Sequence, residues 1–248
     1  MLDGERRRQR CIEAVVEEGE RFGVLAQELE ETGRLDVRVP WVPAWSARDL
    51  VGHLGTVHRW ATGIVTAGHD RTSPPKELPP SNGLLDWYAA GHAALVRALR
   101  ETAPDAPAWH MSPAAERVAA SWARRQAHEL AVHRMDLEAA AGSRHEPLEV
   151  LLAEDGADEL LTIVVPRWAH TEPLRRAVAT VVVTSRGTGR GWTVAVDRGA
   201  VVVLPYAAEG ADAVLDGNPV DVLLHLWGRP ADVVVTGDPA AEGLLRGR

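Results

Sequence analysis

The hydrophobic periodicity of the chain changes near Pro147, and this change constrains the fold more than any other feature of the sequence. Before it, apolar residues mostly recur every three or four positions, which is typical of amphipathic helices that bury one face. After it, runs rich in Val and Thr are separated by glycine-containing turns, which is typical of antiparallel strands. We therefore predict two domains, a helical domain over residues 1–145 and a smaller α+β domain over residues 146–248.

The first domain is expected to contain four amphipathic helices joined by proline-containing loops. Ser46, followed by Asp49 three residues later, resembles a capping box that would start the second helix. Four such helices with long connections fit a four-helix bundle. The predicted helices are Glu5–Thr32, a second one that begins at Ser46, Leu84–Glu101 and Ala115–Ala141.

The second domain is expected to begin with a helix near Glu149–Trp168 and to continue as an α+β fold with a mostly antiparallel sheet. The glycine-rich segment Gly187–Gly191 lies between two β-type runs with no helix after it, so we interpret it as a hairpin turn and not as a phosphate-binding loop. The predicted strands are Ala177–Ser185, Trp192–Asp197, Ala200–Leu204, Asp212–Leu215 and Ala231–Thr236, and further helices are predicted at Asn218–Trp227 and Pro239–Leu245.

Cysteine content and charge exclude several classes of site and partner. Cys11 is the one cysteine of the chain, so an intramolecular disulfide and a cysteine-built zinc or iron–sulfur site are excluded. The formal net charge of −8 argues against binding to nucleic acids. The sequence has neither an apolar run near the roughly 20 residues that span a bilayer nor a secretory signal. We therefore expect a cytoplasmic protein without membrane or nucleic-acid partners.

Three side chains form a candidate metal site. Glu129 and His133 are four residues apart in the fourth predicted helix, so they lie one turn apart on the same face. His53 lies in the second predicted helix and would meet them inside the bundle if the two helices face each other. Two imidazoles and a carboxylate are typical zinc ligands and leave a coordination position open. Spacing alone also fits an ion pair at the surface for Glu129 and His133, and a buried core histidine for His53.

Four separated segments resemble one known family. The strings VPAWSARDLVGHLGTVHRWA (Val42–Ala61) and SWARRQAHELAVHRMDLEAAAG (Ser121–Gly142) resemble the N-terminal domain of the mycothiol-dependent maleylpyruvate isomerase family. That domain belongs to the DinB-like group of metal-binding four-helix bundles. Ala153–Leu161 and Gly217–Gly237 resemble segments of the second domain of the same family. The resemblance therefore covers nearly the whole chain.

The resemblance implies a site, a metal and a thiol. In this family a divalent metal, usually taken as zinc, is held at the positions matched by His53, Glu129 and His133. It also implies mycothiol as the cosubstrate and a thiol-assisted cis-to-trans isomerisation of a small electrophile, or a thiol S-transfer if the adduct persists. Coordination to a cation lowers the pKa of a thiol and supplies a thiolate at neutral pH. Because metal ligation needs neutral imidazoles, we expect metal occupancy to fall below pH about 6.

Four further residues have alternative interpretations. Arg229 matches an arginine of the family that is thought to contact the substrate or the thiol, and a guanidinium suits carboxylate binding. It could instead cap the carbonyls of the preceding helix. Trp45 and Trp122 are each expected either to line the pocket at the candidate metal site or to pack in the core, and Arg134 is expected to form an ion pair at the surface.

The alternative to an enzyme is a non-catalytic protein on the same scaffold that binds a metal or a small molecule.

Overall fold

The computed structural model describes residues 4–246, so the first three residues of the predicted helical domain and the last two of the predicted α+β domain lie outside it. Within this range the chain forms two compact units. The first unit runs to His110 and resumes over Glu116–Pro147, and the second contains Met111–Ala115 and the residues from Leu148 onward. The division into domains at residues 145 and 146 stays a prediction.

The first unit is built from four long helices, in agreement with the predicted helical fold. Helix α2 (Ala47–Thr66) begins where we expected, because the Ser46 hydroxyl accepts from the backbone N–H of Asp49 while the Asp49 carboxylate accepts from the backbone N–H of Ser46. Gly142 ends the fourth helix in the left-handed conformation, with φ of 70°. The helices are α1 (Gly4–Glu31), α2 (Ala47–Thr66), α3 (Leu84–Glu101) and α4 (Ala119–Ala141).

Helix α4 begins four residues later than predicted. We expected it to start at Ala115, but Val118 is extended and forms an isolated antiparallel bridge with Pro107. This bridge holds the residues before Ala119 out of the helix. Hydrophobic periodicity does not reveal such a contact, because the two bridged residues lie in a loop and at a helix start.

A buried network of charges joins α1 to α4. Arg134 donates hydrogen bonds to the carboxylates of Glu18 in α1 and Glu138 in α4, and its side chain is 1% exposed. The prediction of a surface ion pair for Arg134 is therefore wrong. Buried charges of this kind need partners, because an unpaired charge in the core costs several kcal/mol.

The second unit contains a five-stranded mixed sheet in the order β3-β2-β1-β4-β5. Neighbouring strands are antiparallel except for β1 and β4, which are parallel with Val182 opposite Val214. This confirms the predicted α+β fold with a mostly antiparallel sheet. The strands are β1 (Val178–Ser185), β2 (Arg190–Asp197), β3 (Ala200–Leu204), β4 (Ala213–Gly217) and β5 (Val233–Gly237).

The helix predicted near Glu149–Trp168 is interrupted by a π-helical turn over Leu160–Val164. Pro166 has no N–H and cannot continue the α-helical pattern, and the N–H of Val165 bonds instead to the carbonyl of Leu160, five residues back. Helix α7 (Glu172–Arg176) was not predicted, because five residues are too few to show periodicity. The helices of this unit are α5 (Val150–Glu159), α6 (Val165–Arg167), α7 (Glu172–Arg176), α8 (Pro219–Leu226) and α9 (Pro239–Gly243).

No helix within residues 4–246 combines the length and the apolar character needed to cross a membrane.

Candidate metal centre

The three predicted metal ligands lie together in the helical unit. One nitrogen or oxygen atom from each of His53, Glu129 and His133 lies within 4.8 Å of the other two. Nε2 of His53 is 3.0 Å from Oε1 of Glu129, and Nε2 of His133 is 3.5 Å from the same oxygen. The structure therefore brings two imidazole nitrogens and a carboxylate oxygen to one point.

Two helices place these side chains. His53 lies in α2, about two turns after the Ser46 cap, and Glu129 and His133 lie on successive turns of α4. The side chains of His53, Glu129 and His133 are 28%, 14% and 11% exposed, so the cluster is mostly buried but open to solvent at the His53 side. His53 is therefore the most exposed of the three candidate ligands.

His133 is oriented by a second carboxylate. Its Nδ1–H donates to Oδ2 of Asp136 over 2.8 Å, and Asp136 is fully buried. A carboxylate can only accept, so Nδ1 carries a proton, and loss of the second ring proton leaves a lone pair on Nε2 at the side of Glu129. Carboxylates commonly hold metal-ligating histidines in this way. In its neutral form, His133 is therefore oriented to act as a metal ligand through Nε2.

Glu129 is held by a guanidinium on its other side. Nη2 of Arg125, one turn earlier in α4, donates to Oε2 of Glu129, while Oε1 faces the imidazoles. Burial acts to raise the pKa of the Glu129 carboxyl, but Arg125 and the hydrogen bonds from His133 and His53 outweigh it and hold this pKa well below 4.5. Glu129 is therefore ionised at neutral pH, as a metal ligand must be.

The pKa of His133 is raised in the structure. Burial acts to lower it, whereas the hydrogen bonds to Asp136 and Glu129 and the charges of these two carboxylates raise it, and the balance is a pKa of about 8, above the ordinary 6.5. The proton on His133 is held by the same carboxylates that would stabilise a cation in its place. A metal ion must therefore displace this proton to bind at neutral pH.

Trp45 lies against both imidazoles. Its ring centroid is 4.7 Å from that of His53 and 6.0 Å from that of His133. The indole is thus an apolar surface beside the candidate ligands.

Trp122 packs in the core and does not line the candidate site, which were the two interpretations that the sequence left open. It is fully buried, and its Nε1–H donates to the carbonyl of Trp109 over 2.6 Å.

Arg229 lies in the second unit, where Nη1 donates to the carbonyl of Trp227 over 2.6 Å. Trp227 is the residue that ends α8, so this hydrogen bond favours the helix-capping interpretation. A contact of Arg229 with substrate stays a prediction.

Sequence reasoning missed the roles of Arg125 and Asp136 at the site. The signals were present, because Arg125 precedes Glu129 by four residues and Asp136 follows His133 by three, which places each on the helix face of its partner. Such spacings are common on helices, so they mark a site only once the ligands themselves are known.

Comparisons with known proteins identify the family of the chain and a shared fold. Residues 15–138, half of the chain, match the family model described as Mycothiol maleylpyruvate isomerase N-terminal domain. A crystal structure of the mycothiol-dependent maleylpyruvate isomerase shares the fold, with 15% identity, a TM-score of 0.63 and coverage of 95% of this chain and 93% of that chain. A histidine-to-alanine mutant of the mycothiol-dependent maleylpyruvate isomerase gives 14% identity, a TM-score of 0.64 and the same coverage. No curated protein sequence matches the chain.

Proposed function

Because the chain belongs to the mycothiol maleylpyruvate isomerase N-terminal domain family, we propose that it is a metal-dependent enzyme that uses mycothiol to isomerise maleylpyruvate or a related electrophile. The observation that carries this proposal is the convergence of His53, Glu129 and His133 on one point. The fold supports it as well, since two structures with the same fold are those of mycothiol-dependent maleylpyruvate isomerase.

We propose zinc as the metal, held by His53, Glu129 and His133. Two imidazoles and one carboxylate favour zinc over magnesium, which prefers oxygen ligands. Three protein ligands leave a position open for an external ligand, as in catalytic zinc sites. A divalent metal in this site would lower the pKa of a thiol, about 8.5 when unbound, and so supply a thiolate at neutral pH.

The side chains around the ligands prepare the site in three ways. Asp136 holds the His133 ring with Nε2 toward the site. Arg125 binds one oxygen of Glu129 and leaves the other to face the imidazoles. Trp45 packs beside both rings and excludes water from that side. These contacts limit the rotation of the ligands before any metal binds, which lowers the entropic cost of forming the site.

The proposed isomerisation needs a thiolate and a substrate that is free to rotate about one bond. The thiolate sulfur forms a C–S bond to the conjugated double bond, and the π electrons move to the neighbouring carbonyl oxygen. The former double bond then turns as a single bond. The electron pair returns from the oxygen, the C–S bond breaks, and the thiolate leaves, so the thiol is not consumed.

For Arg229 we propose a contact with a carboxylate of the anionic substrate. The hydrogen bond to Trp227 supports capping of α8 as the alternative. The Arg229→Gln variant separates the two roles: loss of a substrate contact raises KM and leaves the unfolding temperature unchanged, whereas loss of a cap lowers the unfolding temperature and leaves KM unchanged.

The proposed function is tested by assaying maleylpyruvate with zinc and mycothiol added separately and together. We expect cis-to-trans isomerisation only when both are present. Full activity of the metal-free protein, or of His53→Ala, contradicts the proposal. Accumulation of a stable thioether, detected by mass spectrometry, identifies a thiol S-transferase. Stoichiometric metal binding without thiol-dependent turnover of any electrophile tested supports a non-catalytic binding protein.

A further inference from the structure

A surface groove that the candidate metal centre does not use runs between α1 and α3 of the helical unit. Its volume is about 440 Å³, and Val16 of α1 and Val96 of α3 form apolar parts of its walls. Charged side chains also line it, and these are Glu20, Arg97, Arg100 and Glu101.

Two hydrogen bonds fix how α1 and α3 lie beside each other. The Tyr88 hydroxyl, near the start of α3, donates to the carbonyl of Gly19 over 2.9 Å. Nη2 of Arg8, near the start of α1, donates to the carbonyl of Leu99 over 2.6 Å, near the end of α3. The two helices are therefore antiparallel, and Glu20 lies beside the first half of α3.

The charges along the groove are separated between its two ends. Glu20 and Asp86 lie at the end where α3 begins, and Arg97 and Arg100 lie at the end where α3 finishes. All four are exposed, and within residues 4–246 none of them forms an ion pair. Glu101 follows Arg100 in the chain, but its side chain leaves the helix about 100° away from that of Arg100. One end of the groove thus presents unpaired acids and the other unpaired guanidiniums.

This separation of charge makes the surface complementary to itself. Asp86 precedes Ala93 by seven residues and Arg100 follows it by seven. Seven residues are about 20° short of two helical turns, so the three residues follow one line along the exposed face of α3. A second copy related by a two-fold axis at Ala93 places its own α3 antiparallel to the first. Each Asp86 then lies opposite Arg100 of the other copy, and each Glu20 lies at the end that carries Arg97 of the other copy.

We propose that the surface formed by α1 and α3 is the interface of a homodimer, in which two copies of α3 pack antiparallel across a two-fold axis at Ala93. The Asp86–Arg100 pair forms twice in this dimer and sets the orientation of the two copies, because opposite charges across an interface fix its register. The inference is independent of the proposed metal site.

The dipole of α3 offers a different account of the same two charges. Asp86 lies in the first turn and Arg100 in the last turn, where an acid and a base stabilise a helix within one chain. This effect acts on the stability of each chain and does not depend on protein concentration. Association and unfolding are therefore measured separately for every variant.

The experiment is sedimentation velocity of the full chain over about a hundredfold range of concentration, with thermal unfolding as the measure of folding. We expect the unmodified protein to form dimers as its concentration rises. Asp86→Arg and Arg100→Glu should each raise the dissociation constant of the dimer at least about tenfold, because each substitution replaces two attractive pairs with two repulsive ones.

Mixing the two single variants gives the sharpest test. In a dimer of one Asp86→Arg chain and one Arg100→Glu chain, both pairs across the axis again join opposite charges. We expect the equimolar mixture to associate about as tightly as the unmodified protein, although each variant alone does not. The helix-dipole account predicts no recovery on mixing, because each charge then acts only within its own chain.

Two substitutions of alanine test the position of the axis. Ala93→Glu brings like charges together where the two copies meet, so this variant should be monomeric at every concentration. Ala240→Glu is the matched control, because Ala240 is exposed and lies in α9 of the second unit. It should associate like the unmodified protein.

Three outcomes overturn the inference. The first is an unmodified protein that stays monomeric over the whole concentration range, which needs no variant and applies even if a variant does not fold. The second is a dimer that Ala93→Glu does not weaken, since this dimer uses another surface. The third is a mixture of Asp86→Arg and Arg100→Glu chains that associates no better than either variant alone.

Discussion

At the scale of single residues, His133 links metal binding to pH. Its pKa is raised to about 8, so at lower pH the metal-free protein holds a proton where the metal must bind. We expect zinc affinity to be constant above pH about 8 and to fall at least about tenfold for each pH unit below it, because one proton is displaced for each ion bound. Zinc titrations between pH 6 and 9 measure this. Affinity that does not change between pH 6 and 8 contradicts the prediction.

The structure predicts that zinc affinity begins to fall at a higher pH than the sequence alone suggests. An ordinary imidazole predicts loss of metal below pH about 6. Asp136 and Glu129 stabilise the imidazolium of His133 and shift the onset to about pH 8. The sign is the same in both cases, since protonation opposes metal ligation. The difference comes from two carboxylates that contact one ring; their spacings place them on the helix face of His133 but are too common on helices to predict a shifted pKa.

Replacement of His53 tests the ligand that comes from a different helix. His53→Ala removes one of the three donors, and we expect zinc affinity to fall by more than the 10–100-fold that is typical for loss of an outer contact. His69→Ala is the matched control, because His69 is exposed and lies beyond the end of α2. Isothermal titration with zinc measures both. Equal affinities of the two variants would show that His53 is not a ligand.

The three candidate ligands could be predicted from the sequence, but the contacts around them could not. The spacing of Glu129 and His133 fixes their common helix face, and the place of His53 in the second predicted helix made it the third candidate, which the family resemblance supported. Trp45 contacts the imidazoles because of the conformation of the loop before α2, and hydrophobic periodicity does not predict loop conformations. For Arg229 the sequence left open a substrate contact and capping of α8, and the hydrogen bond to Trp227 that favours capping depends on a side-chain conformation.

At the scale of the elements, glycine sets the distance between α2 and α3. A Cβ atom at Gly55 would lie 2.3 Å from Cζ3 of Trp87, closer than carbon atoms can approach. Arg59 stacks on the same indole at 4.0 Å, which restricts its movement. We expect Gly55→Ala to lower the free energy of unfolding by about 1–3 kcal/mol, because the added methyl overpacks the contact. Chemical denaturation measures the change.

Gly23→Ala is the control for this substitution. Gly23 lies in α1, and a Cβ atom there would be 3.5 Å from Tyr88, an ordinary contact. Alanine is about 1 kcal/mol more favourable than glycine inside a helix, so this variant should be as stable as the unmodified protein or more stable. Equal destabilisation of both variants would show that the Trp87 contact does not determine the effect.

Element boundaries were predictable where local chemistry sets them. The capping box at Ser46 and the glycine at the end of α4 are local signals, and the structure places both ends there. The later start of α4 depends on Pro107, eleven residues before the bridged Val118, and the π-helical turn depends on how the chain accommodates Pro166. Periodicity averages over several residues and does not resolve such interruptions.

At the scale of the whole molecule, metal binding should raise stability. A ligand that binds only the folded state stabilises it by mass action, by about 2.7 kcal/mol when its concentration is 100 times Kd. We expect zinc to raise the free energy of unfolding of the unmodified protein by this amount. His53→Ala should show a much smaller rise at the same zinc concentration. Urea titrations with and without zinc measure the difference, and an equal response of both proteins contradicts a site that includes His53.

The proposed function depends on one divalent metal ion held by His53, Glu129 and His133. Elemental analysis tests it most directly, after the protein has been incubated with zinc and passed through a desalting column. We expect about one equivalent of zinc in the unmodified protein and none in the Glu129→Ala, His133→Ala double variant. A folded unmodified protein that retains no zinc, or a double variant that retains as much, would show that these residues do not hold the metal.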